Sequence, residues 1–374
     1  MEEKNKKRYK FKNEKWYLEN DELNGFHIII FHDKKIYEGY LKDGVFDKNG
    51  ILYSKDLKRY EGQFNNGKLE GIGISYDENG KVQYEGEFRD SSFNGVGKSF
   101  LDGILIYNGT FKDGEKDGFG ILYYLNGQEK YIGHWNKGNY EGYGCSYYEN
   151  GKKWYEGHFK DCNWNGTGTF YNEEGKKVYK GSFMDCEFEG LGFAYNDEEE
   201  IIYEGEFKEG IWDGKGILYA FDCDGKRFKY YEGSIKEMEM NGFGTGYLPD
   251  GKIHYKGYFK NGIFNGMGEL YYTCNGSKKY EGQFKDGKYN GYGKYYDHGT
   301  LEYEGLFKND IPFIELEKDL KNLVSFSKEY HLNDIENLLK EDKIMEISNL
   351  FFEKKEEIPN GVYLDIQNIL MKLH

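Results

Sequence analysis

Proline is almost missing, with three residues in 374, and cysteine is scarce, with five. An odd cysteine count without Cys-x-x-Cys spacing argues against a disulfide framework and for reduced thiols. No run of about 18 apolar residues occurs, so nothing reads as a membrane-spanning helix. The first residues carry no apolar stretch of the secretory kind. Together these features give a cytoplasmic expectation. Positive charge is also short: the net charge is −15, which argues against non-specific attraction to nucleic acid or to an anionic surface. The local exception is residues 1–15, which hold seven basic residues (Lys4, Lys6, Lys7, Arg8, Lys10, Lys12 and Lys15) and read as a flexible arm.

Reactive constellations are equally scarce. Asp222-Cys223-Asp224-Gly225 looks like part of a calcium loop, but its register puts Ala220 where an oxygen ligand is required. Gly142-Tyr143-Gly144 and its copies precede no helix that could receive a phosphate. Cys162 and Cys186, like His134 and His158, occupy equivalent positions of a repeat. They are therefore expected about 9.6 Å apart, beyond disulfide reach. No catalytic residue, cofactor or metal is expected.

What is abundant is glycine (52), tyrosine (37) and phenylalanine (27). They recur in phase. A Tyr-x-Gly signature falls at Tyr37, Tyr60, Tyr84, Tyr107, Tyr131, Tyr155, Tyr179, Tyr203, Tyr231, Tyr255, Tyr280 and Tyr303, with steps of 23 to 25 residues and one of 28. Self-similarity at a fixed period marks a repeat architecture. Counting the tyrosine as position zero, position 2 is Gly in all twelve copies and position 4 is aromatic in ten. Position 13 is Gly in all eleven copies that reach it; position 11 is Gly in ten, the exception being Lys48.

Positions 6 and 7 often read Asn-Gly or Asp-Gly, as in Asn66-Gly67 and Asp113-Gly114. That dipeptide favours a two-residue hairpin turn, because both residues take positive φ. The expected register sets 5 against 8, 4 against 9, 2 against 11 and 0 against 13. Positions 0, 2, 4, 9, 11 and 13 then share one face, on which tyrosine rings lie over glycines. The opposite face carries Glu at position 1 in eight copies and an aromatic residue at position 16. A second turn near position 19 leads into the next copy, and the 28-residue step predicts a longer loop at Phe221–Lys229.

The repeats resemble MORN (membrane occupation and recognition nexus) repeats, whose core is Tyr-Glu-Gly-x-Phe/Trp, Asn-Gly, Gly-x-Gly. The resemblance covers residues 37–312, and Asn24-Gly25-Phe26-His27 marks a degenerate earlier copy. A period of mostly 24 and an aromatic position 9 depart from the commonest form. The resemblance implies a curved single-layer sheet, a scaffold or partner-binding role, and a link to membranes and phosphoinositides.

The expected fold is therefore an all-β repeat: an elongated, twisted, single-layer antiparallel sheet of consecutive β-hairpins, with a small C-terminal helical segment. Three parts follow: a basic arm (1–15), the repeat sheet (16–312) and a helical cap (313–374). In the last part glycine gives way to Leu, Ile, Lys and Glu. Leu316, Leu320, Leu323 and Val324 keep helical spacing; Asn333 or Asp334 caps a second helix with Ile335, Leu338 and Leu339. Such helices would shield an open sheet edge.

The function read from these features is a non-enzymatic scaffold that binds protein partners through its aromatic-lined sheet. A second copy of the chain, forming a homodimer, is one candidate partner. The alternative is a peripheral adaptor for anionic lipid, using the N-terminal arm or the lysines at position 5. Trp164, Phe188 and Trp212, large rings at position 9, are expected to form an exposed mid-groove contacting a partner.

Overall fold

A computed structural model describes residues 9–12, 15–18, 21–329, 344–353, 355 and 358–373. Most of the basic arm and the expected second helix, from Asn333 to Leu339, lie outside the described residues. The chain divides into two units, 1–201 and 202–374. In the first, fifteen strands from Gly25–Phe31 to Glu187–Tyr195 follow one another as antiparallel hairpins. Short strands Tyr9–Lys12, Lys15–Leu18 and Asp21–Glu22 pair separately. In the second, ten strands run from Ile201–Lys208 to Ile311–Pro312. Each sheet is one layer of consecutive hairpins.

The hairpin turn is as expected. Positions 6 and 7 both have positive φ in all twelve copies, from Asp43-Gly44 to Asn309-Asp310. Five copies put Ser91, Cys162, Cys186, Met238 or Asp310 where glycine is usual, and a left-handed L-residue costs roughly 1–2 kcal/mol. All of these side chains except Met238 accept a backbone N–H from the neighbouring copy, offsetting that cost. Ser91 Oγ takes Leu69 N–H at 3.1 Å, Cys162 Sγ takes Tyr140 N–H at 3.3 Å, and Asp310 Oδ1 takes Tyr289 N–H at 2.7 Å. The turn itself also hangs on its neighbour, since the N–H of Gly67 donates to the carbonyl of Phe46 and that of Gly114 to Phe93, both at 2.9 Å.

The rest of the expected register is corrected. Asn65 faces Lys68 and Phe64 faces Leu69, as anticipated, but Gly62 faces Gly73 and Tyr60 faces Ser75. Position 2 thus opposes 13, and position 0 opposes 15. Two extra residues are absorbed in a bulge, where positions 10–12 stand against position 3. The cause is position 11, which takes positive φ in all eleven copies, between 56° and 125°. Lys48 adopts it too, with φ 56°. A second irregularity precedes each tyrosine in the connecting strand, as between Ser75 and Tyr76.

The step lengths have a local cause. Steps of 23 close with a two-residue turn, both residues at positive φ: Lys55-Asp56, Asp102-Gly103 and His298-Gly299. Steps of 24 use a longer turn in which one residue, such as Gly80, has positive φ and Asp77 N–H reaches the Lys81 carbonyl. The 28-residue step carries no longer loop. Its turn, Asp222–Lys226, has that same form, and the strands extend instead by two ladder pairs, Ala220 with Phe228 and Phe221 with Arg227.

Helices α1 (Phe313–Glu329), α2 (Ile344–Glu353) and α3 (Asn360–Leu373) share an apolar core. It contains Leu323, Ile347, Phe351, Ile366 and Leu370, with Ile311 of the last strand packed against it. Pro359 stands just before α3, where its missing N–H costs nothing.

Candidate partner-binding surfaces

Each tyrosine at position zero except the last, Tyr303, is held in a box. Its floor is glycine: a methyl group on Gly73 would stand 2.5 Å from the Tyr60 ring, and one on Gly62 would stand 2.5 Å from the Gly73 Cα. Its walls are edge-on rings, Phe64 at 5.1 Å and Phe88 of the next copy at 5.0 Å. Its hydroxyl donates to the carbonyl of position 3, as Tyr60 does to Gln63 at 2.9 Å; all twelve tyrosines make this bond. Burial pushes the Tyr60 and Tyr84 hydroxyls up to about 12.

Position 9 is the roof. Phe93 stacks on Tyr84 at 4.0 Å, Phe264 on Tyr255 at 3.8 Å, and Tyr289 on Tyr280 at 3.9 Å. The expected contact rings have this place. In the first unit Trp164 lies over Tyr155 at 4.8 Å and Phe188 over Tyr179 at 4.0 Å; in the second, Trp212 lies over Tyr203 at 4.7 Å. All three are half-buried. Trp164 also meets Trp154 at 5.1 Å and Phe170 at 5.4 Å, and Phe170 meets Phe188 at 5.9 Å. The first unit therefore carries an aromatic cluster around Trp164 on its tyrosine face. In one copy the roof is Lys116, its ammonium 5.2 Å from the Tyr107 ring and 4.8 Å from Trp135. Burial, with Lys130 adding, holds this amine below the ordinary lysine range.

The opposite face is organised by the bulge. The side chain at position 3 bridges it: Gln63 Oε1 accepts the N–H of Ile72 and Glu87 Oε1 that of Val96, both at 3.2 Å, while Thr110 Oγ1 donates to the Phe119 carbonyl at 3.2 Å. Position 10 acids cap the next turn, as Glu70 does for the N–H of Asp90 at 3.1 Å. Further along the strands, Lys at position −2 pairs with Glu at position 1: Lys58 with Glu61, Lys153 with Glu156 and Lys229 with Glu232, each at 2.7 Å. Such exposed pairs contribute little, about 0.2–1 kcal/mol. Asp222 is a turn cap, its Oδ1 accepting the N–H groups of Asp224 and Lys226. All five cysteines are free.

The middle residue of Gly-x-Gly, position 12, points out from this face. Ile72 and Val96 are 60% exposed, Phe119 53% and Tyr143 54%; Leu191, Phe243, Met267 and Tyr292 are comparable. Sequence reasoning missed this row. Its signal in the sequence is that position 12 is a large apolar residue in eight of eleven copies.

The family model for the MORN repeat matches seven segments: residues 60–82, 84–100, 107–129, 131–153, 203–221, 255–273 and 280–298. No curated protein matches the chain. Outside those segments lie the copies at Tyr37, Tyr155, Tyr179, Tyr231 and Tyr303, which carry Lys48 at the bulge or Cys162, Cys186, Met238 and Asp310 at the turn. They keep the same positive φ there and the same tyrosine bond.

Proposed function

We propose that this chain, a MORN-repeat protein, is a non-enzymatic scaffold that binds protein partners through the aromatic surface of its sheet. The observation that carries the reading is the cluster of Trp154, Trp164, Phe170 and Phe188. Here four large rings from two adjacent copies meet, with Trp154 exposed and the others half-buried, and aromatic residues dominate interface energetics. Trp212 is the corresponding contact of the second unit. Polar side chains are mostly committed to turns, bulges and ion pairs, which favours a binding surface over a reactive one.

The lipid reading rests on nine basic residues at position 5, including Lys42, Lys112 and Lys260. In eight copies position 6 is acidic, so most of these cations stand beside an anion such as Asp43 or Asp113. The pairing weakens attraction to an anionic surface at physiological salt. Among the described residues, no helix is long and apolar enough to cross a membrane.

The test compares the chain with a Trp164→Ser/Trp212→Ser variant in affinity capture and in flotation with phosphatidylserine vesicles. The scaffold reading expects partner bands that the variant loses, β-sheet circular dichroism that it keeps, and no flotation of either. Flotation abolished by removing residues 1–15 would favour the lipid adaptor instead.

A further inference from the structure

We infer that the outer face of the first unit, along Ile72, Val96, Phe119 and Tyr143, is a docking track for a cationic amphipathic helix. This rests on the scaffold reading but uses the face opposite the tyrosines. The four residues belong to four consecutive copies and are each more than half exposed. An exposed apolar row of this kind marks an interaction surface.

The spacing selects the occupant. Equivalent positions in successive copies are two strands apart, about 9.6 Å. A helix returns to the same face after seven residues, about 10.5 Å. Four heptad-spaced apolar side chains thus follow the track with a drift of about 1 Å per step, which side-chain rotamers absorb.

The charge selects its sign. Position 3 of each next copy stands between successive members of the row (Glu87, Thr110 and His134), and position 10 flanks it on the turn side. In the first unit these are fourteen positions, from Tyr40 and Asp47 to Ser182 and Glu189, and none is Lys or Arg. The chain holds 51 such residues in 374, so chance would place about two there. Glu70, Glu87, Asp117 and Glu141 line the track instead. The bulge and turn bonds ask these positions for acceptors, and the result is an apolar row interleaved with polar side chains, Glu87 among them, with an acidic rail of Glu70, Asp117 and Glu141 along one side. Lys98 stands two residues beyond Val96 on the same face, opposite Glu85, and Arg89 and Lys112 stand at the turns, each next to an aspartate. A second copy laid on this face would bring its own acidic rail against the first, whereas Lys or Arg flanking a partner's apolar stripe completes it.

The probe is a fluorescein-labelled 22-residue peptide with leucines at heptad spacing and lysines elsewhere, beside a glutamate counterpart. Anisotropy titrations use the full chain, Phe119→Ser/Tyr143→Ser, Asp117→Asn/Glu141→Gln and Trp164→Ser, each checked by circular dichroism. The lysine peptide should bind the parent chain. Affinity should fall at least tenfold with the serine pair, lose much of its salt dependence with the amide pair, and stay unchanged with Trp164→Ser. The glutamate peptide should not bind. Equal binding to the serine pair overturns the track, and equal binding of both peptides overturns the charge assignment. A parent dimer that the serine pair makes monomeric, seen by sedimentation, assigns the face to a second copy. Failure of the peptide while Trp164-dependent capture persists removes this track and leaves the scaffold reading standing.

Discussion

The ring of Tyr60 lies against the backbone of Gly73, with no room between them: a methyl group on that glycine would stand 2.5 Å from a ring carbon. Gly114, at position 7, is different; a methyl group there meets nothing within 4 Å, and only its φ of 89° is unusual. One glycine supplies space and the other supplies conformation. Gly114→Ala should therefore cost about 1 kcal/mol, and Gly73→Ala about 2–3 kcal/mol from overpacking. Urea unfolding of the two variants ranks them. Equal losses would mean that the tyrosine shifts freely off its floor.

Lys48 holds the backbone angle that glycine holds in the other ten copies. Lys48→Gly should stabilise the chain by about 1 kcal/mol, because the strain of a left-handed L-residue is removed. The added freedom of glycine in the unfolded chain reduces the gain. The urea midpoint should rise with an unchanged slope; a lower midpoint would show that the Lys48 side chain contributes more than its strain costs.

Lys116 roofs Tyr107 with an amine where most copies have a ring. Lys116→Tyr should raise the melting temperature, since a stacked ring adds roughly 0.5–1.5 kcal/mol beyond its burial. The pH dependence gives a second readout. With the folded amine titrating below the unfolded one, the unfolded state binds more protons in that interval. The parent should gain stability as pH rises toward the lysine range. That gain should be smaller in the variant.

The tyrosine boxes predict alkaline unfolding. Tyr60, Tyr84, Tyr231 and Tyr280 keep their protons up to about 12 in the folded chain. An unfolded tyrosine releases its proton near 10. Between these values the folded state binds more protons, so stability falls as pH rises; below about 10 both states are neutral and these groups contribute nothing. Absorbance of tyrosinate and far-ultraviolet circular dichroism should change together above pH 10. Full ionisation with the sheet signal intact would contradict the boxes.

The hairpin turns and the tyrosine-over-glycine face were legible because each depends on a dipeptide or on a residue type repeated without exception. The bulge was not, because glycine has two uses and both look alike in sequence. Positions 11 and 13 were read together as beds for rings. Only position 13 is one. Lys48 held the clue: a site that admits lysine cannot be a floor without room for a Cβ. Trp164 and Trp212 were read as groove residues from their size alone. Their stacking on Tyr155 and Tyr203 depends on the bulge and so lay beyond a register counted two by two.

The turns between hairpins differ by single residues, and their place in the period decides what such differences do. A residue gained at Asp77–Lys81 or Tyr272–Ser277 falls after one ladder has ended and before the next has begun. It changes the length of the chain and leaves every side chain on its own face. The same insertion inside strand Leu57–Asn65 would turn the glycine floor toward solvent. Copies can accordingly drift in length at one joint while remaining interchangeable in shape, much as links of unequal wire still close into the same chain. Descendants of this sequence should record their insertions there and almost nowhere else within the repeats.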